Sequence, residues 1–178
     1  MWDPQTWELQ NYLPLGILLD LSASGTKQLL AAGLYDNSVR VWSISEGQEI
    51  QILQWHRGNV YSVAWSHDGR RLASASEDGT VAVWETTNWR MVSWFRTDES
   101  VIGQGPAGAV AWSPDGKLLA AAAAQGTVGV WEADTAELLA TLRGHTAPVR
   151  AIDWSADGSK IASGGWDGMV LVWGLPAE

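Results

Sequence analysis

Two sets of residues in this chain combine the side-chain types of a serine hydrolase. His56, Ser74 and Asp78 form one set and His145, Ser163 and Asp167 the other. Each is followed by a tryptophan, Trp84 or Trp173, and the internal spacings are identical. A hydrolase needs a hydroxyl nucleophile, an imidazole to take its proton and a carboxylate to orient the imidazole. Three features argue against that chemistry. No Gly-x-Ser-x-Gly elbow is present to expose a serine. Ser74 and Ser163 fall in the middle of extended runs, out of a substrate's reach. The set is also duplicated, which a single active site does not require. The competing role is architectural, because a buried indole N–H and a buried imidazole must each find a partner.

The elements that carry these residues repeat. Residues 56–85, HRGNVYSVAWSHDGRRLASASEDGTVAVWE, hold three extended runs, 60–66, 71–76 and 80–85, separated by Asp-Gly turns. Short Val-, Ala- and aromatic-rich runs bounded by Asp-Gly are the pattern of antiparallel strands, since Gly accepts positive φ and Asp bonds the turn backbone. Aligning the chain on the terminal tryptophan gives four copies, Trp42, Trp84, Trp131 and Trp173, spaced 42, 47 and 42 residues apart, with preceding turns at Gly25, Asp68-Gly69, Asp115-Gly116 and Asp157-Gly158. A period near 42 with about four strands per repeat is the pattern of a propeller. The expected strands are 15–21, 28–33, 38–43 and 49–54, then 60–66, 71–76, 80–85 and 90–95, then 108–113, 118–123, 127–132 and 137–142, and finally 149–155, 160–164 and 169–173. Residues 97–108, TDESVIGQGPAG, supply the extra length in the 47-residue interval and read as a loop.

The repeat resembles the WD-repeat β-propeller family. His56 and His145 stand at its Gly-His position. Ser66-His67-Asp68-Gly69, Ser113-Pro114-Asp115-Gly116 and Ser155-Ala156-Asp157-Gly158 stand at its Ser-Pro-Asp-Gly position, and VWS, VWE, VWE and VWG at its Trp-Asp position. The resemblance implies an all-β fold of four-stranded blades over a single domain, residues 1–178, with blades at about 15–54, 56–96, 105–142 and 145–173. It also implies a buried network in blades 2 and 4 in which Asp and His bond each other, Ser bridges and the indole N–H ends the chain. Blade 1 (Ala32, Asp36) and blade 3 (Ala121, Gln125) lack the histidine and serine, so apolar contacts are expected to hold them, with Asp36 and Asn37 capping a turn. Trp65, Trp112 and Trp154 take a position where the family usually has Phe, and read as core.

Composition bounds the rest. Hydrophobic residues make up 46% and charged residues 17% of 178, as in a globular chain. Net charge is −9, with Arg70-Arg71 the longest basic cluster, so neither nucleic acid nor membrane is an expected partner. No run approaches the length of a membrane span. The absence of cysteine excludes disulfides and thiolate chemistry and points to a cytoplasmic setting. Three histidines, two of them in the networks, give no metal site, and no cofactor is expected.

Family geometry places partner-binding residues on the top face, built by the loops before the first strand and between the second and third strands. On this chain those positions include Leu15, Ile17 and Tyr35, Asn59, Tyr61 and Glu77, Pro106, Gly108 and Ala124, and Pro148, Arg150 and Trp166. Tyr35, Tyr61, Arg150 and Trp166 are the types that dominate interface energetics. The expected activity is non-catalytic binding of a protein or peptide. The rivals are a propeller piece with no ligand and a hydrolase with a channel site. Four blades are fewer than the seven or eight the family usually closes with. The expectation is a homodimer forming an eight-bladed ring, in which residues 7–12 of each chain supply the missing fourth strand of the other's last blade. A piece of a longer propeller and a closed four-bladed monomer are the alternatives.

Overall fold

A computed structural model describes residues 16–97, 106–123 and 125–174, and there the chain is all β. Blade 1 consists of β1 (Leu18–Ala23), β2 (Leu29–Leu34), β3 (Ser38–Ser43) and β4 (Gln48–Gln54). Blade 2 has β5 (Val60–Trp65), β6 (Arg71–Ser76), β7 (Thr80–Glu85) and β8 (Met91–Arg96). Blade 3 has β9 (Ala107–Trp112), β10 (Leu118–Ala123), β11 (Thr127–Glu132) and β12 (Leu138–Arg143), and blade 4 has β13 (Val149–Trp154), β14 (Lys160–Gly165) and β15 (Val170–Gly174). Each blade is an antiparallel meander in chain order. Among the described residues β15 is an edge strand. Residues 7–12, expected beside it, lie outside the described residues, as do 98–105 of the expected loop.

The strands follow from turn chemistry. Ser66 accepts the Arg71 N–H (2.9 Å) and donates to Asp68 (2.7 Å), while Gly69 takes φ +68°. Ser113–Asp115 and Ser155–Asp157 repeat this device. The observed strands depart from the expected spans by one residue at most, except β1, which is shifted along the chain to Leu18–Ala23 from the expected 15–21. The expected turn was centred on Gly25. Ser24 in fact opens it, its N–H bonding the Leu29 carbonyl (2.8 Å) as the Ser66 N–H bonds that of Arg71 (2.9 Å). In the second turn Asn37 (φ +67°) takes the left-handed place that Gly79, Gly126 and Gly168 hold in the other blades. Asp36 caps that turn by accepting from the Ser38 N–H (3.1 Å) and also pairs with Arg40 (2.9 Å).

The blades pack in series through their inner strands, β1 on β5, β5 on β9 and β9 on β13, and among the described residues no comparable packing joins blade 4 to blade 1. The apolar layers between blades centre on Val41, Val63 and Leu72, on Val83, Leu119 and Trp131, and on Val130, Trp154 and Ile161. Phe95 stacks on Trp131 across one joint, 4.3 Å between ring centroids.

Each of these joints also carries a polar latch. The indole N–H of Trp65 donates to the Ser22 carbonyl (3.0 Å), that of Trp112 to Ala64 (2.9 Å) and that of Trp154 to Ala111 (3.2 Å). In every case the acceptor is the backbone of the preceding blade's inner strand. The three tryptophans are core, as expected, and all are buried. They also do what phenylalanine cannot, since only the indole has a hydrogen to donate. Trp112→Phe should therefore keep the apolar contact but lose the latch, lowering stability by about 1 kcal/mol in urea unfolding. An unchanged midpoint would show that the bond to Ala64 contributes nothing.

Candidate functional site: an aromatic-arginine face over buried polar networks

The inner strands share one irregularity. Each pairs with its neighbour in regular register except for one extra residue, namely Leu19, Tyr61, Gly108 or Arg150. A β-bulge of this kind re-aims the extra side chain and bends the strand. The four bulges line a common cavity of about 350 Å³, together with Asp20 and Ile152 among others. The Arg150 guanidinium lies 4.9 Å from the Trp166 ring centroid and 5.6 Å from that of Tyr61, within cation–π range of both. Arg150 and Trp166 belong to blade 4 and Tyr61 to blade 2, so the side chain crosses blade 3. On the way it passes Gly108, where a Cβ would be in ordinary contact with Arg150 Nη1 (3.9 Å) but too close to the Val149 carbonyl oxygen (2.9 Å), so the glycine is needed for the approach of the β13 backbone.

Other expected top-face residues gather beside this contact. Glu77 accepts from the Asn59 side chain (2.7 Å), and its N–H bonds the Asn59 carbonyl (2.8 Å). Burial and then the Glu77 carboxylate push the Tyr61 phenol above its usual range. Trp166 is 70% and Tyr35 55% exposed. Trp166, Glu77 and Tyr35 are fixed in the same way, each N–H bonding the carbonyl of the residue before its inner strand, Pro148, Asn59 or Ile17. The structure thus brings Tyr61, Arg150 and Trp166 into one contact, with Asn59 and Glu77 adjoining and Tyr35 on the same rim. Leu15 and Ala124 lie outside the described residues.

Beneath the face run the polar networks. In blade 4, His145 Nδ1 meets Asp167 (2.9 Å), Nε2 meets Ser163 Oγ (2.8 Å), and the Trp173 indole donates to the same hydroxyl (2.9 Å). Blade 2 differs by one member. His56 Nε2 meets Ser74 Oγ (2.8 Å) and the Trp84 indole donates to it (3.0 Å), but Nδ1 contacts Thr80 Oγ1 (2.9 Å) and stands 3.6 Å from Asp78. The direct His56–Asp78 bond expected from the sequence is replaced by a relay through Thr80, whose hydroxyl bonds Asp78 (2.5 Å). The equivalent residue in blade 4 is Met169, which has no hydroxyl, so His145 and Asp167 meet directly. Ser74 and Ser163 are buried and committed to two partners each, which leaves neither free as a nucleophile. Among the described residues no group of His, Asp and Glu is arranged to hold a metal.

Burial raises the Asp78 pKa, but the nearby His56 imidazole and hydrogen bonds from Thr80 and the Arg57 N–H outweigh it and hold the carboxyl well below the usual range. Asp167 is lowered too, first by the Thr146 N–H, with burial opposing and Met169 and His145 adding to the effect.

The profile of the family described as "WD domain, G-beta repeat" matches residues 15–43, 47–85, 100–132 and 136–174. The chain belongs to the WD-repeat family. Among curated relatives, mouse Coronin-7 is 44% identical over 57 residues, 32% of this chain and 6% of that protein. Cell division control protein 4 of Saccharomyces cerevisiae is 33% identical over 67 residues, 38% and 9% of the two chains. The Periodic tryptophan protein 2 homolog of Dictyostelium discoideum is 26% identical over 105 residues, 58% and 11%. The aligned part of this chain is thus a small fraction of the length of these relatives. The WD-repeat family is one of protein-interaction scaffolds, and that role fits a site made of aromatic faces, a guanidinium and committed hydroxyls.

Two outcomes test the networks. Ser74→Ala orphans the buried Trp84 N–H and one His56 nitrogen, and should cost about 1–3 kcal/mol for each group left without a partner, measured by urea unfolding. A loss below a few tenths of a kcal/mol would contradict the network's role. The second is pH dependence. Folding lowers the Asp78 pKa from 3.8, so its stabilisation is complete above that value and is lost as pH falls below it toward the folded pKa. The melting temperature should fall more steeply between about pH 5 and pH 3 in the parent chain than in Asp78→Asn. Equal slopes would remove Asp78 from the account.

Proposed function

We propose that this WD-repeat chain is a non-catalytic scaffold that binds a protein or peptide on the face formed by Tyr35, Asn59, Tyr61, Glu77, Arg150 and Trp166. The observation that carries the reading is the Arg150 guanidinium held between the Tyr61 and Trp166 rings at the mouth of the inner-strand cavity. Two aromatic faces and a guanidinium, supported by bulged strands, have the composition and rigidity of an interface hot spot. We further propose that two chains associate into an eight-bladed ring, residues 7–12 of each pairing with β15 of the other. Two features support this: among the described residues β15 is an edge strand, with Val170 74% and Val172 64% exposed, and blade 1 exposes Ile17, Leu18 and Leu21. Exposed apolar faces and unpaired edges invite a partner of matching shape.

Selection of binders from a random peptide library displayed on phage tests the face. The expected result is that enriched peptides lose binding by about tenfold or more to Arg150→Ala and Trp166→Ala but keep it to the outer-strand change Ile50→Ser. Peptides insensitive to both face variants would move the site elsewhere. Deleting residues 1–13 should leave the β15 edge bare and cause aggregation. A soluble, equally stable truncated dimer would refute the exchanged strand.

A further inference from the structure

The outer top corner of blade 2 holds a second cavity, of about 470 Å³, lined by Trp55, Arg57, Asp78, Thr80, Trp94 and Arg96. It shares no residue with the inner-strand cavity. Its origin lies in a paired change of residue size. In blade 4 the residue before the network histidine is Gly144, and a Cβ there would stand 2.9 Å from Leu171 Cδ1 and 2.8 Å from the Trp173 ring. In blade 2 the same place holds Trp55. Leu171 pairs with Ser163 in β14, and the residue pairing with Ser74 in β6 is Ala82. The small Ala82 makes room for the large Trp55, which packs against the cluster containing Ala82 and Trp84. Trp94 pairs with Ala82 from β8 and remains 47% exposed, its ring 5.5 Å from Trp55 and tilted by 55°. The result is an aromatic corner open to solvent.

The charges around this corner are also distinctive. Two guanidiniums and one carboxylate line it in a chain of net charge −9. The carboxylate, Asp78, is committed to the Arg57 N–H (2.6 Å), the Thr80 N–H (2.9 Å) and the Thr80 hydroxyl. Arg57 is exposed, and among the described residues its guanidinium makes no hydrogen bond or ion pair. We propose that this corner binds a peptide segment in which an aromatic residue lies next to a carboxylate, the ring on Trp94 and Trp55 and the carboxylate on Arg57. A cavity of this size accommodates one or two side chains, stacking on an indole favours a flat ring, and a guanidinium meets a carboxylate through paired N–H donors. A nucleotide fits less well. Many phosphate sites draw on free backbone N–H groups beside the guanidinium, whereas those of Arg57 and Thr80 already serve Asp78, whose charge would repel a phosphate dianion.

Calorimetric titration of the full chain with short capped peptides tests the proposal. The probes are Gly-Glu-Tyr-Glu-Gly, its Ala-for-Tyr and Lys-for-Glu analogues, and adenosine monophosphate. The acidic tyrosine peptide should bind at least about tenfold tighter than either analogue or the nucleotide, and about tenfold weaker to Arg57→Gln and to Trp94→Ala. Arg57→Gln changes an exposed side chain whose backbone N–H is retained, so the fold should persist, and an unchanged urea midpoint checks this. Arg150→Ala should leave this binding unaltered, which separates the corner from the inner-strand face. The proposal is overturned if the lysine analogue or the nucleotide binds as well as the acidic peptide, if Arg57→Gln binds unchanged, or if no heat is seen up to about 1 mM peptide.

Discussion

The joint between one blade and the next is the constraint on which the molecule depends. A four-stranded blade buries little by itself, and its stability comes from the neighbour it leans on. Here the joint combines an apolar layer with an indole hydrogen bond to the preceding inner strand, repeated at Trp65, Trp112 and Trp154. The bond is directional, so it fixes how one inner strand sits against the next, which an oily contact alone would leave loose. Further bridges follow the same path. The Asp20 carboxylate accepts the Val63 N–H (2.9 Å), and Ser62 Oγ accepts that of Val110 (3.3 Å). The inner strands thereby form a continuous arc of backbone held by side chains, and their bulges present Tyr61 and Arg150 along it.

The latch also marks where the series ends. Blade 1 has Ala23 at the position of Trp65, so it has no indole to donate backwards. The exposed apolar residues of β1 and β15 sit at the two ends of the series, whereas three on the outer strands have another cause. Ile50, Val92 and Leu139 are each the extra residue of a bulge opposite the blade tryptophan, and are exposed for that reason. Ile50, Val92 and Leu139 thus have a local reason for exposure, whereas the apolar residues at the series ends call for a neighbouring blade.

Much of this was legible in the sequence. Four tryptophans in phase and Asp-Gly turns at matching places located the strands, because turn chemistry is local and glycine's positive φ has few substitutes. The duplicated His, Ser, Asp and Trp set located the networks for a similar reason: buried polar groups come as complete sets. What escaped notice depended on partners in other blades or on register. The acceptors of Trp65, Trp112 and Trp154 are backbone carbonyls, which carry no residue signature. Thr80 joined the network because a hydroxyl two residues after Asp78 reaches both Asp78 and His56, a position easily read as part of the turn. The bulges cannot be seen in a two-residue alternation, so the meeting of Arg150 with Tyr61 emerged only in three dimensions. The one misplaced strand, β1, came from taking Gly25 as the turn's centre when Ser24 opens it.

Among the described residues blades 1 to 4 are packed in series with no joint between the last and the first, and we propose that a second copy matches the two ends. Light scattering on the purified chain tests this most directly. The account predicts a mass of about 39 kDa, twice the 19.3 kDa of one chain. A folded species of 19.3 kDa that persists as concentration rises would contradict it.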